Sequence, residues 1–302
     1  MPPLVAQRLR DWIYPRSTAR VEGYRFTVRS QTGSPFTGTT SDHVAYPMAV
    51  HGYFNWRNIA IARAVCGEGD VIVEIGANVG SETVGFSDIV GATGVVHAFE
   101  PYPPNLVELR VNAEQARYRN INVWALALSD GEGNVQFADP RPGNSGSGHL
   151  LGVANDQMSA SPATEVTEVR CTTLDSLMLQ LGRPRLVVVD AEGHDAAVLR
   201  GAERLLTAYQ PVIVLEVVEE LLARSGSTPS EVASHLSRLG YNVVEITRFG
   251  LAAVDIGPGT GPVASDWIAV PRGSDHLTVH LRRTLRRCGA TPLFSGVNPL
   301  RR

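Results

Sequence analysis

The chain has 302 residues, 43% hydrophobic and 19% charged, enough apolar content for one sizeable core with additions. Its formal net charge of -3 provides no global field for nucleic acid. Cys66, Cys171 and Cys288 are widely spaced and follow no metal pattern, so they read as thiols of a reducing compartment. Met1 to Pro15 has no apolar signal core, and no stretch approaches the roughly 20 apolar residues of a membrane span. These features together lead to the expectation of a cytoplasmic protein with no membrane span and no nucleic-acid partner.

In chain order, Val5 to Ile13 reads as a short amphipathic helix and Arg20 to Ser30 as a strand. Gln31 to Asp42, rich in Gly, Ser and Thr, reads as a loop. Phe54 to Val65 has helical spacing and leads through Gly67-Glu68-Gly69 into Val71-Ile72-Val73-Glu74-Ile75, a β-branched run typical of a strand buried on both faces. Gly76 and Gly80 open a tight turn into a helix over 81–90. Strands follow over 94–100, 121–126, 186–190, 211–217, 241–246 and 266–270. Helices over 104–116, 195–209 and 229–239 alternate with them, which implies a parallel sheet with helices on both faces. Two β-like pieces, Asn134 to Phe137 and Val166 to Cys171, flank a stretch rich in Gly, Ser and Pro at 140–162. A loop of that length is either a lid or disordered. The resulting division is an N-terminal cap (1–66), a main domain (67–273, with an insert at 131–170) and an Arg-rich tail (274–302). The arginine pairs Arg282-Arg283 and Arg286-Arg287 read as a solvated face.

A strand, a small-residue turn and a helix place backbone N–H groups at the edge of a parallel sheet, which is a nucleotide-type site. The spacing is Gly-x-x-x-Gly rather than Gly-x-Gly-x-x-Gly, and Glu74 just before it suits a cationic ligand better than a pyrophosphate. Glu100 ends the next strand, where an acidic side chain can take both ribose hydroxyls. Ser129-Asp130-Gly131 either lines an adenine pocket or is a simple turn. Asp190-Ala191-Glu192-Gly193-His194-Asp195 packs four ionisable groups at another strand end. They are either ligand-binding groups or, for Glu192 and Asp195, acids of a helix first turn. Glu216 ends the following strand. Asp190 and Glu216 facing one another suit a hard divalent cation such as Mg2+, or the orientation of a substrate hydroxyl. His194 is a candidate base, or a surface histidine at a helix start. His43, His51 and His149 lie in the cap and the insert.

The segments Glu74-Ile75-Gly76-Ala77-Asn78-Val79-Gly80, Ala98-Phe99-Glu100-Pro101, Ala127-Leu128-Ser129-Asp130, Thr173-Leu174-Asp175, Val189-Asp190-Ala191-Glu192-Gly193, Gly201-Ala202 and Leu215-Glu216 resemble the FkbM-type S-adenosylmethionine-dependent methyltransferases. The likeness runs from about residue 52 to about 270. Glu74 stands where the family usually has Asp. The resemblance implies a class I methyltransferase, Rossmann-like, with a seven-stranded and mostly parallel sheet. It also implies that Glu74, Gly76, Asn78 and Gly80 surround the methionine part of the cofactor, that Glu100 holds the ribose, and that Ala127 and its neighbours, Ser129 among them, flank adenine. Asp190 borders the same site. Asp190, Glu192, His194 and Glu216 form the pool of catalytic groups, with Asp190 and Glu216 as the metal pair. The expected activity is O-methylation of a hydroxyl on a secondary metabolite or sugar, the partner being a small-molecule or glycan acceptor; a homo-oligomer is compatible with it. Three rivals stand beside it: an N-methyltransferase, an NAD-dependent oxidoreductase, and a binding protein that has lost its reaction.

Overall fold

The computed structural model describes residues 3–13, 23–151, 165–248, 250–257 and 261–291. In chain order the strands are β1 (Arg25–Arg29), β2 (Pro35–Thr39), β3 (Val71–Ile75), β4 (Val95–Phe99), β5 (Ile121–Trp124), β6 (Ala127–Leu128), β7 (Gly133–Ala138), β8 (His149–Leu150), β9 (Val166–Thr172), β10 (Pro184–Val189), β11 (Val212–Val218), β12 (Tyr241–Thr247), β13 (Gly250–Ala253) and β14 (Ala264–Pro271). The main sheet has eight strands in the order β13-β12-β14-β11-β10-β3-β4-β5. The five strands from β11 to β5 are parallel, and β14 runs antiparallel between β11 and β12. The fold is thus the expected α/β class with one strand more than seven. The extra strand, β13, is a four-residue edge piece in a hairpin with β12, too short for its periodicity to register.

The central strands are apolar because both faces are covered. Ile72, Val188 and Val214 pack with Ile59 and Phe86 on one side, while Val73, Val187 and Leu215 pack with Val198 and Leu205 on the other. The helix Asp275–Ala290 joins the first of these clusters through Leu281, Leu285 and Cys288. The tail up to Ala290 therefore packs as part of the core, and residues 292–302 lie outside the described ones.

Three local readings change. Residues 31–42 are not all loop, because β2 pairs with β1 in antiparallel register. Its polar sequence is buried because Asn112, on the helix Pro103–Gln115, is its partner. The Asn112 Oδ1 accepts the Thr37 N–H at 2.7 Å, and its Nδ2 donates to the carbonyls of Thr37 (3.0 Å) and Val79 (2.8 Å). The expected helix over 195–209 is two helices, Asp195–Arg200 and Glu203–Tyr209. At the break, a Cβ on Gly201 would sit 1.9 Å from the Ser129 carbonyl oxygen. Asp175 then caps the second helix, accepting the N–H groups of Arg204 (3.0 Å) and Leu205 (2.8 Å). Finally, β11 continues past Glu216 to Val218, so Glu216 lies within the strand. The insert, together with β6 just before it, forms a second sheet, β6-β9-β7-β8. Of the stretch 140–162, residues 152–162 lie outside the described ones.

Candidate active site

At the end of β3 the chain turns sharply. Gly76 has φ 81°, and a Cβ there would come 1.9 Å from the Asp190 carbonyl oxygen. Only glycine lets the turn cross the end of β10 so closely. The N–H groups of Gly76 and Ala77 both donate to the Phe99 carbonyl, at 3.0 and 2.9 Å. Asn78 is left-handed (φ 52°), a conformation its short amide side chain tolerates. Its N–H donates to Glu100 Oε2 at 2.9 Å, and its Oδ1 accepts the Val79 N–H and the Ser145 hydroxyl, each at 2.7 Å. The other oxygen of Glu100 accepts the Tyr102 N–H at 2.8 Å. Burial raises the Glu100 carboxyl to about 7, and these bonds hold it back from a larger shift. Gly80 serves packing: a Cβ would meet Leu109 at 2.9 Å.

The second half of the site is acidic. After β10 the chain doubles back through Glu192 (φ 50°) and Gly193 (φ 99°). Buried Asp195 holds this loop by accepting the N–H groups of Ala191 (3.3 Å) and Gly193 (3.1 Å); its carboxyl is raised to about 6 by burial. Asp190, Glu192 and Glu216 each bring a carboxylate oxygen within 4.8 Å of the others. Asp190 retains accessible surface, yet desolvation by its surroundings and the charge of Glu216 drive its carboxyl well above the usual range. Desolvation and neighbouring acids push Glu192 and Glu216 to about 8. Asp266, opposite Glu216 on β14, is raised by burial and steadied by Arg57. Glu74 is raised to about 8, and Glu82 well above its ordinary value, both mainly by burial. One buried oxygen of each, Glu74 Oε2 and Glu82 Oε1, has no hydrogen-bond partner. A group of acids this desolvated is built to meet a cation or to hold protons.

Both halves open into one cavity of about 260 Å³. Its wall includes Glu74, Gly76, Asn78, Glu82, Glu100, Ala127, Asp190, Glu192 and Glu216 from the sheet edge. His43 and Phe54 from the cap, and Ser145 and His149 from the insert, complete it. Four residues named from the sequence are not in this wall. Gly80 faces Leu109, while Ser129 and His194 bond each other, Oγ to Nε2, at 2.7 Å. His51 stacks on Tyr53 at 5.2 Å, away from the cavity wall. Two contributors went unread in the sequence. Glu82 looks like an ordinary helix-start acid, and only its burial marks it. Asp42 ties cap to insert: its Oδ1 accepts the N–H groups of Val44 (2.9 Å) and Ala45 (2.8 Å), and its Oδ2 that of Ser145 (2.8 Å).

The fold is of the α/β class, and its cavity lies at the carboxyl edge of the parallel strands, where such sheets bind nucleotide-type ligands. The model of the methyltransferase FkbM domain matches residues 74–243, and the chain belongs to this methyltransferase family. Membership implies S-adenosylmethionine as methyl donor. The chain is 27% identical over 254 residues to the hexuronic acid methyltransferase AglP of Haloferax volcanii, covering 80% of this chain and 92% of that protein. Among solved structures, a methyltransferase FkbM from Methylobacillus flagellatus KT aligns at 12% identity with a TM-score of 0.41; the alignment covers 67% of this chain and 44% of that one, so the chain spans less than half of its length. The cofactor-bound protein Rv0187 from MTB aligns at 17% identity with a TM-score of 0.40, covering 90% of this chain and 98% of that one.

Proposed function

We propose that this methyltransferase transfers the methyl group of S-adenosylmethionine to a hydroxyl of a sugar or secondary metabolite. The carrying observation is the trio Asp190, Glu192 and Glu216, three mutually close carboxylates in the same cavity as the glycine turn. The Haloferax protein's name, a hexuronic acid methyltransferase, supports a sugar acceptor.

The residues fit the cofactor. The unpartnered Glu74 oxygen at the turn suits a cationic amino-acid end, and Glu100, on the neighbouring strand end, retains lone pairs for two ribose hydroxyls. Ala127, flanked by Leu126 and Leu128, offers an apolar wall for the adenine. The bound cofactor supplies a methyl group on a sulfonium, which is already a good leaving group. The protein's task is therefore alignment and proton removal. The acceptor hydroxyl sits against Asp190, Glu192 and Glu216. A buried carboxylate is a stronger base than an ordinary one once it is ionised, and the cationic sulfonium favours that ionisation, so Glu216 or Glu192 in its ionised form takes the hydroxyl proton as oxygen attacks. Cap and insert, through His43, Phe54 and His149, close over the acceptor and limit water.

A metal-assisted version uses the same trio. Three carboxylate oxygens within 4.8 Å of one another suit a hard divalent cation, with Asp190 and Glu216 as ligands. Calorimetric titration with S-adenosylhomocysteine, with Mg2+ or with EDTA, separates the two. Micromolar binding unchanged by EDTA, together with turnover reduced at least tenfold in Glu216→Gln, supports the acid–base version. Turnover abolished by EDTA and restored by Mg2+ selects the metal version. Absence of cofactor binding in the folded protein overturns both.

A further inference from the structure

We propose that the N-terminal helix, together with the arginine-rich helix against which it packs, seats the protein peripherally on an anionic lipid bilayer. The helix Pro3–Ile13 exposes Val5 (51%), Leu9 (37%) and Trp12 (79%). Their i, i+4, i+7 spacing puts them on one face. An indole so exposed favours neither water nor a core; it favours the boundary between headgroups and acyl chains.

The helix Asp275–Ala290 packs against this helix. Leu281, Leu285 and Cys288 face the core, which leaves Arg282, Arg283, Arg286 and Arg287 exposed. Val279 on the same helix is 49% exposed. Of the nine large apolar side chains exposed among the described residues, four therefore lie on these two helices. Charge is segregated in the same way: Asp275–Ala290 carries four arginines against one aspartate, in a chain of formal net charge -3. An apolar stripe on one helix and a basic row on its neighbour are the two signals that stable interfacial attachment needs. A second copy of the chain would have to meet the arginine row with acids, and a copy of the same surface offers arginines. No described helix is long and apolar enough to cross a membrane, which agrees with attachment at the surface.

The test uses the full chain and phosphatidylcholine vesicles, with and without phosphatidylglycerol. The protein is expected to sediment with the anionic vesicles only, and to be released by salt as surface charge is screened. Trp56 and Trp267 are buried and Trp124 is half-buried, held on Phe99 and His97, so a blue shift of tryptophan emission on vesicle addition that is lost in the Trp12 variant reports Trp12. Trp12→Ser should abolish that shift and cut the bound fraction at least tenfold while leaving the melting temperature unchanged. Arg283→Gln and Arg287→Gln should each weaken binding by about fivefold. Equal sedimentation with neutral and anionic vesicles overturns the proposal, as does full vesicle binding by Trp12→Ser. A dimer that Trp12→Ser converts to monomer, with no vesicle binding by either, also overturns it, and makes the surface a contact between copies. None of these readouts depends on methyl transfer.

Discussion

Glu100 carries two tasks at once. Each of its oxygens satisfies a backbone N–H, one from Asn78 and one from Tyr102, and the same carboxylate is proposed to hold the cofactor ribose. Glu100→Ala should therefore weaken S-adenosylhomocysteine binding at least tenfold and also destabilise the protein by about 1–2 kcal/mol, because two half-buried donors lose their acceptor. Titration calorimetry and thermal melting read the two effects separately; unchanged affinity in a folded variant would remove Glu100 from the cofactor site. The pH dependence has a definite sign. With the carboxyl near 7, the ribose acceptor is progressively protonated below that value, so affinity should fall as pH drops from about 8 to about 6. At this scale much of the site was legible. Glu74, Gly76, Asn78, Glu100, Asp190, Glu192 and Glu216 lie in the carboxyl half of the parallel strands or in the turns that follow them, where pattern and position single them out, and all of them line the cavity. His194 was not legible in the same way. Its spacing fits a base, but the loop pinned by Asp195 turns its ring onto Ser129, a rotation with no sequence signature.

Among the elements, the cap and the insert are joined across more than 100 residues of sequence by Asp42 and Ser145. The Ser145 hydroxyl in turn reaches Asn78 at 2.7 Å, so the cofactor turn, the cap and the insert share one polar chain. Asp42→Ala should loosen it. We expect faster proteolysis within 140–151 and several-fold weaker cofactor binding, with the sheet core intact by hydrogen exchange. Unaltered cleavage and affinity would show that the closure does not depend on this link. The parallel strands were readable because burial on both faces removes polar alternation. Strand β2 was not, because Asn112 satisfies its backbone from another element. The helix break at Gly201 was hidden for a related reason: it is imposed by the Ser129 carbonyl, not by any local propensity.

For the whole molecule, the buried acids make stability depend on pH in an unusual direction. Glu74, Glu192 and Glu216 have folded values of about 8, above their ordinary range. The folded state thus binds protons that the unfolded state releases. Their contribution is fully present below the unfolded value and is lost as pH rises through about 8. The ligand-free protein should melt at a lower temperature at about pH 9 than at about pH 6, and Glu216→Gln should flatten that slope. A melting temperature that is flat or rises over this range would mean the cavity acids are solvated. Cofactor binding should recover stability at high pH, since a ligand that binds only the native state raises its melting point. The central claim is methyl transfer to oxygen, and it is tested most directly with S-adenosylmethionine labelled with carbon-13 in its methyl group. The protein is incubated with this donor and a panel of hexuronic acid and neutral sugar acceptors, and the product is read by NMR. The account predicts a labelled methyl bonded to oxygen, formed at least tenfold more slowly by Glu216→Gln; label on nitrogen would contradict it, and no transfer to any sugar by a protein that binds the cofactor would remove the sugar acceptor.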